Sequence, residues 1–315
     1  MEINNITCVG AGLIGSDWAA LFSSKGYEVI IQDRSEELLE KALGRIRSNL
    51  GFMEKNDLLG AGNVEESLAK IKTTTDIPEA VAKADYVQES VPDNYEIKKK
   101  VFKEMDGAAP RSTILASSAS GLLMTEIQPA VSAPERCILV HPMLPAHLVP
   151  TVEIAGGRQT SLETVASTRS FMEKLGKTPV VLKKEVSGYI VNRLQAALIR
   201  EAIDLVDQGV ASPEDIDTAF CQGIGLRSPI TGPFLRMHLA GEGIADFLAN
   251  FMESYRYRWE SMATWTTVPP SAVKAVVEGT EQMDLVKRKS LAEIRSWRDE
   301  MLVKLLRTMQ EGLME

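Results

Sequence analysis

His141 and Glu153 are the residues of this chain best suited to moving a proton. His141 closes the apolar run Cys137-Ile138-Leu139-Val140 and precedes the loop Pro142-Met143-Leu144-Pro145. Glu153 lies inside a second apolar run, Val149-Pro150-Thr151-Val152-Glu153-Ile154. A carboxylate there needs a partner to offset its desolvation. An antiparallel return after the loop would bring Glu153 to His141 and fix the tautomer of the imidazole. His141 is then a candidate general base for an alcohol proton, and Glu153 its orienting acid. Ser120, just past the run Thr113-Ile114-Leu115-Ala116, and Asn192, at the start of a long helical run, complete the constellation. Spacing alone leaves a second reading open, a surface histidine beside an unrelated strand-end glutamate.

Oxidation of an alcohol removes a hydride as well as the hydroxyl proton, and the N-terminus carries a motif for a hydride acceptor. The stretch Val9-Gly10-Ala11-Gly12-Leu13-Ile14-Gly15 follows the apolar run Ile6-Thr7-Cys8-Val9 and leads into Asp17-Trp18-Ala19-Ala20-Leu21-Phe22, which has helical spacing. Strand, glycine turn and helix in that order form the dinucleotide-binding fingerprint. Gly10 permits the turn, Gly12 leaves room for a pyrophosphate and Gly15 lets the helix lie close to the strand. Together with Leu13 and Ile14 they form the cofactor loop, with the helix N-terminus facing the phosphates. Glycine turns are common without any ligand, so the second half of the motif decides. Val29-Ile30-Ile31-Gln32-Asp33 reads as a strand ending in an acid 18 residues beyond Gly15. Asp33 there accepts ribose hydroxyls and repels a 2′-phosphate, which selects NAD over NADP. The neighbouring Arg34 could still tolerate a phosphate.

Strands alternate with helices up to about residue 183, which predicts a mostly parallel, doubly wound sheet. Gly10, Asp33, Ser90, Ser120 and His141 all fall just past strand ends, where such sheets bind ligands. Beyond Gly188 the pattern becomes helical, with a long run from Ile190 to Asp207 and a strong helix start at Ser212-Pro213-Glu214-Asp215. The expected fold class is therefore α/β, a Rossmann-like domain over 1–185 followed by an all-helical domain over 186–315. Helical surfaces this apolar predict a homodimer formed through the second domain.

Composition bounds the remaining possibilities. A net charge of −8 argues against nucleic acid as the main partner. No apolar run approaches the ~20 residues of a membrane span, and no secretory leader pattern is seen, so a cytoplasmic location is expected. Cys8, Cys137 and Cys221 lack metal-ligand spacing, and with only three histidines no metal site is expected.

The segments Gly10–Gly15, Ala116–Gly121, His141–Glu153 and Ser187-Gly188-Tyr189-Ile190-Val191-Asn192-Arg193-Leu194 resemble the 3-hydroxyacyl-CoA dehydrogenase superfamily in order and spacing. Leu226-Arg227, Met237-His238-Leu239 and Trp297-Arg298-Asp299-Glu300 look like its lambda-crystallin/L-gulonate 3-dehydrogenase branch. The resemblance implies that His141 is the base, Glu153 its acid, and Ser120 and Asn192 the polar groups around the reacting hydroxyl. The family's acid and lysine at the cofactor edge fall on Asp93, where glutamate is usual, and Lys98. Leu144 departs from the family pattern His-x-x-Asn-Pro, which places a local nicotinamide contact in doubt.

The activity so implied is NAD-linked oxidation of a 3-hydroxy acid, with free L-gulonate as the type substrate. Arg227, just before Gly232-Pro233, is the candidate clamp for a free carboxylate. An ion pair within the helical domain is an equally good account of that arginine, and a better one of Arg236. A short 3-hydroxyacyl-CoA or L-carnitine is the alternative substrate. A non-catalytic, crystallin-like NAD-binding protein is the alternative class.

Overall fold

The protein, seen in a computed structural model that describes residues 2–60 and 62–313, is organised around one sheet. Its strands are β1 (Asn5–Val9), β2 (Glu28–Gln32), β3 (Ile71–Thr74), β4 (Tyr86–Glu89), β5 (Ile114–Ser117), β6 (Cys137–Pro142), β7 (Thr151–Gly156) and β8 (Thr178–Val181). They lie in the order β3-β2-β1-β4-β5-β6-β7-β8. The first six run parallel, and the order reverses between β1 and β4. That reversal opens a crevice at the carboxyl ends of the strands, where open α/β sheets bind ligands. Every residue of β4, β5 and β6 is buried, as expected of central strands covered on both faces.

The sheet changes direction once, at β7, which pairs antiparallel with β6. Chain length explains it. A parallel crossover needs a dozen or more residues, and only the connection 143–150 separates the two strands. Strand β8 then runs parallel to β7.

Helix α1 (Leu13–Ser24) packs on this sheet through Trp18 and Phe22, whose rings stack at 5.2 Å. Phe171 and Tyr86, 4.8 Å apart, extend the aromatic core. Helix α2 (Glu36–Lys55) starts on the Ser35 cap, and Leu50 and Met53 continue its buried stripe into the last turns. A short helix, Val64–Ala69, follows, with its start signal just before it. Asn63 caps it and pairs with Glu66.

Two compact units result, Met1–Arg193 and Leu194–Glu315. Asn192 thus belongs to the first, which extends slightly beyond the boundary expected at 185. In the second unit every regular element among the described residues is helical. It includes Pro213–Ala219 with its Ser212 cap, a π-helical segment Phe220–Gly225, and the long helices Ile244–Ser261 and Leu291–Leu313.

Strand β6, which carries His141, is anchored at its entry by a buried ion pair. The Arg136 guanidinium donates to Asp106 Oδ1 at 2.8 Å and to the carbonyls of Asp106 and Pro110. Burial alone would raise the Asp106 carboxyl, but the Ser132 hydroxyl, Arg136 and the Ser132 N–H bring it down to about 2. Its contribution to stability is therefore full above the unfolded value of about 3.9 and is lost as pH falls toward the folded value. Replacing Asp106 by alanine strands a buried guanidinium and is expected to cost about 3–5 kcal/mol at neutral pH, measured by urea unfolding.

Candidate active site

The antiparallel register sets His141 directly opposite Glu153. The two side chains meet on the same face, with His141 Nδ1 2.9 Å from Glu153 Oε2, and both residues are buried. The second carboxylate oxygen, Oε1, accepts the N–H groups of Ile190 and Val191 at 2.8 and 2.9 Å. These are free donors at the start of the helix Val191–Asp207. Burial alone would raise the Glu153 carboxyl. The bond from His141 and the two backbone donors outweigh burial and hold it below the usual carboxylate range.

This arrangement fixes the tautomer by elimination. An ionised carboxylate can only accept, so the proton of the neutral imidazole sits on Nδ1 and the lone pair on Nε2. Asn192 faces that lone pair, its Nδ2 lying 3.5 Å from Nε2. The same amide nitrogen donates to the Ser120 carbonyl at 2.8 Å. All four residues of the expected constellation are brought together.

Ser120 is placed with a difference. Its hydroxyl donates to Asp93 Oδ2 at 2.6 Å, and its N–H donates to the same oxygen at 2.8 Å. Burial works to raise the Asp93 carboxyl, but the Ser120 hydroxyl, the Ser120 N–H and the Lys98 ammonium hold it low. Asp93 in turn lines a cavity of about 570 Å³ with Gly10, Gly12, Ile14, Asp33 and Ser120.

Lys98 does not face this cavity. It is fully buried, and its ammonium is engaged by Glu89 Oε1 at 2.8 Å, the Val91 carbonyl at 2.9 Å and Asp93 Oδ1 at 3.4 Å. Its contacts tie down the segment that carries Asp93. Glu89 had no place in the sequence reading, yet it is the buried acid that compensates this lysine.

The cavity fits a dinucleotide. A Cβ built on Gly12 meets nothing within 4 Å, so a ligand can approach its backbone. A Cβ on Gly15 would lie 1.8 Å from the Gly10 carbonyl oxygen, so helix and turn touch there. Helix α1 has no side-chain cap and no acid in its first turn, which leaves the N–H groups near Leu13 and Ile14 for an anion. Leu13 itself is largely exposed. Asp33 accepts the Ala11 N–H at 2.7 Å and the Arg34 N–H at 2.7 Å. A carboxylate has about four acceptor sites, so two remain for ribose hydroxyls.

Tyr189 is a site residue that sequence reasoning missed. Its buried ring lies 5.2 Å from the His141 ring, and its hydroxyl donates to the Leu122 carbonyl at 2.6 Å. The backbone there is left-handed, with φ of 50°, a conformation uncommon for a bulky residue. It directs the next two N–H groups at Glu153. The only sequence signal was an aromatic next to Gly188. In the second unit, Arg227 is exposed and its Nε donates to the Gly223 carbonyl at 3.1 Å. Arg236 bonds instead to Ser228 and the Thr231 carbonyl.

Comparison with known proteins places the chain in a family. Residues 5–186 match the NAD binding domain of 3-hydroxyacyl-CoA dehydrogenase, and residues 188–282 match its C-terminal domain. The human lambda-crystallin homolog is 35% identical over 305 residues, spanning 95% of this chain and 94% of its own. The L-carnitine dehydrogenase of Bacillus cereus is 33% identical over 312 residues, spanning 98% and 94%. Among solved structures, an NAD+-dependent dismutase, 5-formyl-3-hydroxy-2-methylpyridine 4-carboxylic acid 5-dehydrogenase, superposes with a TM-score of 0.84 at 31% identity, covering 98% of this chain and 99% of its own. The chain belongs to the 3-hydroxyacyl-CoA dehydrogenase family and is an NAD-dependent oxidoreductase acting on a CH–OH group.

Proposed function

We propose that this enzyme oxidises the 3-hydroxyl of a free hydroxy acid of the L-gulonate type, with His141 as general base. The observation that carries the reading is the His141–Glu153 pair, which leaves a lone pair on Nε2 beside Asn192. Nε2 takes the hydroxyl proton, and Glu153 stabilises the imidazolium that forms. The Asn192 amide donates to the substrate oxygen as it becomes a carbonyl. A turn about the Ser120 Cα–Cβ bond moves its hydroxyl from Asp93 to the same oxygen, while Asp93 keeps the Ser120 N–H. Gly10, Gly12, Leu13, Ile14, Gly15 and Asp33 hold the dinucleotide, with Asp93 at its far edge. NAD+, when bound, supplies the acceptor for the hydride leaving C3.

Two things support a free acid. The names of the carnitine and pyridine-carboxylate relatives do not describe thioesters. Arg227 makes no ion pair among the described residues, which leaves its guanidinium for a carboxylate. The family's own name favours the second reading, a short 3-hydroxyacyl-CoA. NAD reduction with L-gulonate, L-carnitine and 3-hydroxybutyryl-CoA separates them. L-Gulonate is expected to turn over best, and Arg227→Met to raise its KM about tenfold or more with little change in NAD affinity. Turnover of the thioester alone, or an unchanged KM, contradicts the free-acid reading.

The helical unit also supports pairing with a second copy of the chain. The helix Val191–Asp207 buries none of its residues, and Leu194, Leu198, Phe234, Phe251 and Trp259 are each at least two-fifths exposed. Exposed apolar surface on this scale marks an interface. Sedimentation velocity is expected to show a dimer at micromolar concentration; a monomer contradicts the pairing.

A further inference from the structure

The connection 143–150 joins the strand of His141 to the strand of Glu153, and it contains a buried stretch of backbone. Ala146 is fully buried, so its N–H and carbonyl need partners. Asp17 Oδ2 accepts the N–H at 2.8 Å. The Lys177 ammonium donates to the Ala146 carbonyl and also to the Val149 carbonyl, the latter at 2.7 Å. Lys177 is itself buried, lies 5.5 Å above the Trp18 ring, and immediately precedes β8. Asp17 sits on helix α1, two residues past the last glycine of the cofactor turn. Each side chain thus reaches the connection from a different element of the sheet domain.

We propose that Lys177, with Asp17, is a positioning residue that fixes the connection 143–150 and through it the pairing of His141 with Glu153. The proposal rests on the reading of that pair as base and orienting acid. Register is what the clamp protects. A slip of one residue between β6 and β7 would turn Glu153 to the opposite face of the sheet. Three more contacts hold the same segment. Leu148 and Val149 donate to the Pro145 carbonyl, each at 3.0 Å, and Thr178 donates to the Pro150 carbonyl at 2.9 Å. None of these serves the Ala146 or Val149 carbonyls, which fall to Lys177.

The charge state of the lysine is secondary. Burial pushes Lys177 down to about 7, with Asp17 opposing and Lys25 adding to the shift. His147 Nδ1 lies 3.1 Å from Asp17 Oδ1 in the same cluster. A neutral amine keeps two N–H donors, enough for the two carbonyls, so the clamp holds on both sides of that value.

The test is single-turnover NAD reduction with L-gulonate, expressed per NADH-binding site measured by fluorescence titration. In Lys177→Met the number of sites and NADH affinity are expected to stay within about twofold, while the rate per site falls about 10–100-fold. Lys177→Arg, which restores donors, is expected to recover part of that rate. A purely structural role would remove sites and leave the rate per site unchanged. A rate per site within about twofold of the parent, or no recovery with arginine, overturns the proposal. If Lys177→Met yields no NADH-binding protein, Asp17→Ala decides on the same criterion. His141→Ala is measured alongside. Hydride transfer at the parent rate in that variant defeats the base assignment itself, whereas an inactive His141→Ala with a fully active Lys177→Met defeats the clamp alone.

Discussion

Glu153 is a carboxylate buried in the middle of a strand, and much of the site follows from how its charge is compensated. One oxygen takes the His141 Nδ1–H and the other takes two N–H groups at the start of a helix. Four acceptor sites meet three donors, and the carboxyl is held in its ionised form. Breaking such a set leaves an uncompensated buried charge, which proteins tolerate poorly. The same bonds that satisfy Glu153 orient the imidazole and fix where the helix Val191–Asp207 begins. One side chain thus carries both the local packing and the orientation of the imidazole.

The sheet is laid out to make this possible. Parallel strands β1 to β6 bring the glycine turn, Asp33, Asp93 and Ser120 to one edge, where the cavity lies. The single antiparallel step, forced by a short connection, sets Glu153 against His141 at the end of β6. Asn192 and Ser120 link the two halves of the site, since the Asn192 amide contacts both the Ser120 carbonyl and the His141 ring. Asp93 then ties Ser120 to the cavity wall. The cavity wall and the His141–Glu153 pair are thus connected by a short chain of hydrogen bonds within one unit.

Much of this was legible in the sequence, for identifiable reasons. The glycine turn and the strand alternation are local patterns, and local patterns survive without tertiary information. The antiparallel return was readable because a glutamate in an apolar run demands a partner. Contacts between distant segments were less legible. The burial of Lys98 is one of these: its ammonium is engaged by Glu89 and the Val91 carbonyl, which no local pattern shows. Tyr189 offered only an aromatic next to Gly188 and Lys177 gave no signal, since their places depend on a left-handed backbone turn and on two carbonyls far away in sequence. The substrate was not legible either. Carboxylate and thioester call for different polar partners, and no local pattern in the sequence separates them.

The most direct measurement is the rate of NAD reduction in Glu153→Gln at saturating NAD. Glutamine keeps the size and one acceptor but loses the charge that fixes the Nδ1 proton and stabilises the imidazolium. The rate is expected to fall about 10²–10⁴-fold while NADH binding is retained. A rate close to the parent's, with NADH binding intact, would contradict the assignment of His141 and Glu153 as the catalytic pair.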